Sequence, residues 1–339
     1  MKIRFILLLC FVSVLLVNAQ QQKYAVYGVA FYNVENLFDT IQSPGIFDEE
    51  YTPEGAKHWN FSKYQNKLNN LADVLNQLGQ KYCPQGPAVI GLAEVENRHV
   101  LEDLVQTGEL AAKNYQVVHY DSPDRRGIDV ALLYNPSLFT LESSKAIPFV
   151  VPGDTAFKTR DQLLVTGTIA GEKVHVIVNH WPSRRAKSIK REQAAAVTKG
   201  IIDSLRLLTP DVKVMVMGDL NDDPTYASVK KVLSAKRVKQ DVGETEMFNP
   251  YWEHYAQGVG SLGYKGSWNL FDQIILTRGL LSEDRAQLTY WKSEIFNRDF
   301  LIHQEGQFKG YPRRTHAKGI YLNGYSDHLP VIVYLVKQI

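Results

Sequence analysis

The sequence predicts an α/β protein in which buried strands alternate with helices. Short runs rich in Val, Ile and Leu recur along the whole chain, as expected of strands covered on both faces. Between them lie segments whose apolar residues fall at intervals of three and four, the helical period. Several apolar runs also end abruptly in a short cluster of Asn, Asp, Glu or His.

At the N-terminus Lys2 and Arg4 precede an apolar run over 5–17, followed by Asn18-Ala19-Gln20. This pattern is that of a secretory signal peptide over 1–19, cleaved after Ala19. The run falls short of the roughly 20 residues that span a bilayer, so no stable membrane anchor is expected. The expected location is therefore the exterior or a periplasm. Cleavage takes Lys2 and Arg4 from 38 basic residues, leaving 36 against 36 acidic ones. That balance excludes a protein-wide basic footprint of the nucleic-acid-coating kind and leaves room only for a local basic rim. Cys10 also goes, and Cys83, left alone, forms no intrachain disulfide, so stability must come from core packing.

Strands are expected at 24–32, 88–93, 128–134, 163–169, 174–178, 212–217, 271–276 and 331–336. Tyr64, Leu68, Leu71, Leu75 and Leu78 form one helical stripe. A second helix over 189–208 carries Ala194, Val197, Ile201 and Leu205 on one face, and Pro210 ends it. No internal repeat, low-complexity tract or long linker interrupts the chain, so 24–339 is expected to form one domain after a short leader. Neither an obligate protein partner nor an oligomer is signalled, and a monomer is expected.

Polar clusters follow the apolar runs at 33–36, 94–97, 179–181 and 219–222. Singly, such residues are commonly turn formers or caps; Asp219 and Asn221 would suit a helix starting at Pro224. Together they point to one site assembled from many strand ends, where ligands collect in α/β sheets.

The residue types suit phosphodiester hydrolysis. A hard cation such as Mg²⁺, with Mn²⁺ or Ca²⁺ as alternatives, needs one or two carboxylates. Glu94 ends a wholly apolar strand, where a buried charge is costly without a partner. A water-activating base is best supplied by an imidazole titrating near neutrality, and His328 fits. Asp272 opens a buried strand and is the expected orienting partner of that ring. Asn221, Asn33, His180 and Arg126 could donate to the phosphoryl group and the leaving oxygen.

These residues lie in segments similar to those of the endonuclease/exonuclease/phosphatase superfamily, which includes pancreatic-type deoxyribonuclease. In order they are Phe31-Tyr32-Asn33-Val34-Glu35-Asn36, Ile90-Gly91-Leu92-Ala93-Glu94-Val95, Asn179-His180-Trp181, Gly218-Asp219-Leu220-Asn221, Asn269-Leu270-Phe271-Asp272 and Ser326-Asp327-His328-Leu329-Pro330. The resemblance implies a four-layer α/β/β/α sandwich, two mixed β-sheets face to face with helices outside. It implies a metal set of Glu94, Asp327 and Asn33, and a His328–Asp272 dyad handling the attacking water. Asp219 and Asn221 would position nucleophile and phosphate, and His180 would contact the phosphate or assist the leaving group. Whether Asp219 or His328 takes the water proton stays open within the family. Glu35 stands where abasic-site enzymes carry Asp.

The stretches 121–131 and 179–185 resemble secreted bacterial nucleases, which makes nucleic acid the expected substrate. Arg126, Asn33 and Trp181 are the expected substrate contacts, and Arg184 and Arg185 are either phosphate contacts or a solvated basic patch. Phosphoinositide phosphatases fit less well, since Leu270-Phe271-Asp272-Gln273 replaces their Trp-Cys-Asp-Arg. The alternatives are a sphingomyelinase-like or other phosphoesterase, whose lipid contacts would be Tyr251, Trp252, Tyr264 and Trp268, and an inactive binding module on the same scaffold.

Overall fold

The computed structural model describes residues 23–151 and 153–339. The signal peptide expected over 1–19, with Cys10, lies outside the described residues. In chain order the first strands are β1 (Tyr24–Leu37), β2 (Val89–Val95), β3 (Gln116–His119) and β4 (Asp129–Tyr134). There follow β5 (Phe139–Ile147), β6 (Gln162–Ile169), β7 (Glu172–His180) and β8 (Val214–Asp219). The main helices are α1 (Phe61–Gln77), α2 (Arg98–Val105) and α3 (Ser188–Leu208).

Two mixed sheets result. The first has the order Thr289–Ile295, Val331–Gln338, β1, β2, β4, β3, with only β1 and β2 parallel. The second runs β5, β6, β7, β8, Asp272–Thr277, Met247–Phe248, Ala235–Lys236. In it β7 lies parallel to β8, and the Asp272–Thr277 strand antiparallel to it. The first sheet pairs β1 antiparallel with Val331–Gln338, so the first and last strands of the described residues lie side by side.

Side-chain alternation explains the layering. On β7, Val176 and Val178 join the core between the sheets, while Ile177 packs with α3 residues. On β8, Met215 and Met217 point inward, and Val214 and Val216 face Ala194, Ala195 and Ile202 of α3. Leu68, Leu71 and Leu75 of α1, with Leu101 and Leu104 of α2, cover the first sheet. The order is helix, sheet, sheet, helix. Where the sheets meet, Gly91 leaves room: a Cβ there would sit 2.4 Å from Met217 Sδ and 3.2 Å from Val178 Cγ1.

All eight expected strands form, several of them longer than expected. The strands without a sequence signal are β3, β5 and Thr289–Ile295, together with the two- and three-residue strands. β3, β5 and Thr289–Ile295 are the edge strands of the two sheets or lie at their ends. With a partner on one side only, β5 carries Glu142, Ser143, Ser144 and Lys145 and shows no continuous apolar run. The α3 face also differs: Ala194, Ala195, Thr198 and Ile202 are buried, while Val197, Ile201 and Leu205 are only half-buried. No helix starts at Pro224; the chain turns there into a short π-helical segment, Ser228–Val232. Asn60 and Asn97 are true N-caps, accepting from Lys63 N and Val100 N. Cys83 is a free, buried thiol, and burial pushes its pKa up to about 11. No helix among the described residues is long and apolar enough to cross a membrane.

Candidate active site

Strand register brings the polar clusters to one end of the sandwich. His180 at the end of β7 pairs with Asp219 at the end of β8, and Asp272 pairs with Asp219 from the other side. In the facing sheet Asn33 on β1 pairs with Ala93, next to Glu94. His328 lies just before the last strand, which runs antiparallel to β1 and so starts at the same end. Ser326 fastens that loop by donating from Oγ to Asn33 O at 2.7 Å. The backbone here is strained: Glu35, Asn36, Glu94 and Asn221 have φ of 50°, 56°, 65° and 51°. Each such non-glycine residue costs on the order of 1 kcal/mol and persists only where its surroundings hold it. At Glu94 the twist marks an irregularity in the β2–β4 pairing.

Asp219 is the centre of the cluster. Its Oδ2 accepts from Asn33 Nδ2 at 3.1 Å and stands 3.6 Å from His180 Nε2 and 3.8 Å from His328 Nε2. Its Oδ1 accepts from Asn221 N at 2.9 Å. Burial, with the carboxylates of Asp272 and Glu94 and against the pull of His328, pushes the Asp219 pKa up to about 7. His328 Nδ1 lies 2.7 Å from Asp272 Oδ2, which leaves Nε2 facing Asp219. Burial opposes charge on His328, but Asp272, Asp219 and Asp327 outweigh it and hold its pKa well above the usual value. Asp272 is fully buried and also accepts from Ser261 Oγ at 2.5 Å. His180 is driven the other way, its pKa depressed by burial and by the charges of Arg160, Arg126 and His328. Two histidines of opposite tendency therefore flank one carboxyl group.

The donor set fits a hard divalent cation. Glu94 Oε2 accepts from Asn36 N at 3.1 Å, and Oε1 lies 3.9 Å from His180 Nε2. Asn33 spends its amide N–H on Asp219, so its carbonyl Oδ1, which accepts from Glu35 N at 3.0 Å, is the atom available to a metal. Asp327 is partly exposed, with Oδ2 bonded to Arg314 Nη2 at 2.9 Å and Oδ1 4.0 Å from His328 Nε2. All three offer oxygen, the ligand type Mg²⁺, Mn²⁺ and Ca²⁺ share. Asp219, Asp272 and His328 form a further His/carboxylate group here, whose ligand atoms lie within 4.8 Å of one another.

Other expected residues fall elsewhere. Trp181 is a correction: its side chain is buried among Ile177, Ala194 and Leu220, and its indole N–H donates to Asn179 Oδ1 at 3.1 Å. Side chains alternate along a strand, so the residue after His180 points to the α3 side. Its carbonyl still serves the site, accepting from Asn221 Nδ2 at 3.0 Å. Arg126 is exposed, with Nε 3.3 Å from Asp124 Oδ1. Arg184 is locked in place, donating to Asn221 O, Asn269 Oδ1 and Asp223 Oδ2 and lying over the Tyr226 and Phe271 rings. Tyr251 belongs to the core, whereas Tyr264 is exposed.

Supporting residues had no sequence signal. Arg160 is buried and donates to His180 O, Trp181 O and Asp124 Oδ2 at 3.1, 2.7 and 2.8 Å. Arg314 links Asp327 to Glu35, whose Oε2 accepts from Thr315 N at 2.6 Å. Lys67, on α1, is buried and donates to Thr315 Oγ1 and Tyr325 O. Burial, together with Asp327, raises the Glu35 pKa to about 7, and its contacts with Thr315 and Arg314 tie Glu35 to that loop. These contacts span up to 280 residues of sequence, out of reach of any local pattern.

Two facing sheets with carboxylates and histidines gathered at one end form a site suited to metal-assisted phosphoester hydrolysis. The chain belongs to the Endonuclease/Exonuclease/phosphatase family, whose family model matches residues 28–337. No curated protein matched it in sequence. Among solved structures, D. rerio TDP2 complexed with a single-strand DNA product is 17% identical with a TM-score of 0.53, covering 91% of this chain and 98% of its own. A Bacteroides thetaiotaomicron mannosyl-6-phosphatase is 15% identical with a TM-score of 0.55, covering 91% and 99%. A family protein from Bacteroides vulgatus is 13% identical with a TM-score of 0.54, covering 92% and 98%. At these identities the likeness shows the fold.

Proposed function

We propose that this protein is an exported, divalent-metal-dependent phosphodiesterase that cleaves nucleic acid. The observation that carries the hydrolytic part is the Asp219 carboxyl held between His180 Nε2 and His328 Nε2, at 3.6 and 3.8 Å. Asp272 fixes the His328 ring from its Nδ1 side and helps hold it protonated, so that Nε2–H faces Asp219 Oδ2, the atom able to take the proton of an attacking water. A carboxyl titrating near 7 is half-ionised at neutrality, where it accepts and returns a proton with little driving force either way. His180, neutral, presents Nε2 to the same space as a donor toward a phosphoryl oxygen or the leaving oxygen. Asn33 holds Asp219 in register, and the free N–H of the Asn221 amide is the further donor. Glu94, Asp327 and Asn33 Oδ1 would hold the cation, which supplies Lewis-acid stabilisation of the phosphoryl charge.

A nucleic-acid substrate is supported by the exposed Arg125, Arg126 and Arg185 near the site and by a neighbour solved with DNA. A second reading, hydrolysis of small sugar phosphates, is favoured by the mannosyl-6-phosphatase of the same fold. Incubation of the purified chain with duplex DNA, single-stranded DNA, RNA, sphingomyelin and mannose 6-phosphate, each with Mg²⁺, Mn²⁺, Ca²⁺ or EDTA, separates them. Strand cleavage that stops in EDTA is expected. Phosphate released from the sugar ester with nucleic acids untouched would replace the nuclease reading with the second one. Export is tested by N-terminal sequencing of protein recovered outside the cytoplasm, where Gln20 should come first.

A further inference from the structure

Beside the histidine end of the site lies a groove of about 510 Å³. Arg125, Arg126, Lys158, Thr159, Arg160 and Arg185 are among the residues that line it. We infer that this groove binds a second phosphate of the substrate, on a nucleotide flanking the scissile bond, and so selects a nucleic-acid strand over a small phosphate ester. The inference rests on the nucleic-acid reading above and extends it to residues outside the catalytic cluster.

Charge is the first argument. The groove carries five cationic side chains and one acidic one, Asp124. Asp124 is itself buried and occupied by Arg160 at 2.8 Å and Arg126 at 3.3 Å. Arg125, Lys158 and Arg185 are exposed, and no ion pair is formed by any of them among the described residues. In a chain whose charge is close to balanced, such a concentration is local, and an anion of more than one charge matches it.

The second argument is an unpartnered group. Thr159 is 2% exposed, and its Oγ1 has no hydrogen-bond partner among the described residues. A buried hydroxyl left unsatisfied costs on the order of 1–3 kcal/mol, unless a ligand or water completes it. Here it lines the cationic groove, where a phosphate oxygen would accept its proton.

Position is the third. Arg160 underlies the groove and bonds the carbonyls of His180 and Trp181, while Pro182, Ser183 and Arg185 continue the same segment along the wall. The groove is thus coupled to the catalytic histidine through a rigid guanidinium with no free donor nitrogen. Next to Arg125 stands Phe47, whose N–H donates to Arg125 O at 2.8 Å and which is 62% exposed. An exposed ring next to a cationic groove suits base stacking along a strand, which a sugar phosphate would not use.

The test compares the full chain with the Arg125→Ala/Lys158→Ala/Arg185→Ala triple variant and, separately, Thr159→Val. Binding of a fluorescent single-stranded oligonucleotide is measured by anisotropy in EDTA over a salt series. Hydrolysis of the same oligonucleotide and of bis(p-nitrophenyl) phosphate is measured with Mg²⁺. The triple variant should bind at least about tenfold more weakly, with a log–log salt slope shallower by about 2, at 0.7 per phosphate contact. The ratio of kcat/KM for the oligonucleotide to that for the small diester should fall in step, chiefly through KM. Thr159→Val should weaken binding severalfold while circular dichroism and Tm hold. Unchanged affinity and salt slope in the triple variant overturn the groove assignment. So does an equal loss on both diesters, which would make these residues general supports of the site. If the wild-type chain hydrolyses neither diester yet binds the oligonucleotide through these residues, the groove stands and the nuclease reading fails.

Discussion

Asp219 is where catalysis and stability conflict, and Asp219→Asn should separate them. Folding raises its carboxyl pKa from 3.8 to about 7, mainly through burial. At 1.36 kcal/mol per pH unit, keeping it ionised in the folded state costs on the order of 4 kcal/mol above pH 7. The sign follows from proton counting. Between pH 4 and 7 the folded chain holds this proton more tightly than the unfolded chain, so stability from this group falls as pH rises through that window. An amide carries no such cost. It still accepts from Asn221 N through its oxygen, but its NH₂ confronts the Asn33 NH₂ in place of the 3.1 Å bond, a loss of roughly 1 kcal/mol. The variant should therefore gain about 1–3 kcal/mol at pH 8, a Tm rise of roughly 2–6 °C. That gain should shrink steadily to near zero by pH 4. Differential scanning calorimetry in EDTA at pH 4, 5, 6, 7 and 8 measures it, and phosphodiesterase activity should be lost at every pH. A variant less stable than wild type at pH 8, or a gain that does not depend on pH, would refute the account of Asp219 as a buried carboxyl held near neutrality.

The remaining expectations concern other parts of the fold and site. Mg²⁺ at millimolar concentration should raise the Tm of the wild-type chain, and Glu94→Gln should abolish that rise in a thermal-shift assay; a full rise in the variant removes Glu94 from the metal set. His328→Ala should lower kcat by about 10²–10⁴-fold, and Asp272→Asn by a comparable factor, with KM little changed in steady-state kinetics. Gly91→Val should destabilise the chain by about 1–3 kcal/mol or more in urea titrations, because the new side chain meets Met217 between the sheets. Trp181→Phe should cost roughly 1–3 kcal/mol of stability through lost packing and the lost bond to Asn179, while KM holds; a raised KM with unchanged stability would restore Trp181 as a substrate contact.

The sequence by itself determined the central strands, because each is buried on both faces and must be apolar along its length, as in β2 and β8. It also determined which residue types stood at the strand ends, since Asn33, Glu94, His180, Asp219 and His328 interrupt runs where polar groups are costly without a role. Edge strands such as β5 escaped it, since a strand with one partner and one wet side needs no apolar run. Only the tertiary structure decided what each end residue touches. Pairing register set Asp272 and His180 on either side of Asp219, a property of three strands hundreds of atoms apart along the chain. The alternation of side chains across β7 turned Trp181 into the core and left His180 in the site. The same was true of Arg160, Arg314, Lys67 and Thr159, ordinary residues in sequence whose meaning comes from burial and long-range partners. Local pattern records the cost of burying a side chain; which group compensates that cost is settled by contacts distant in sequence.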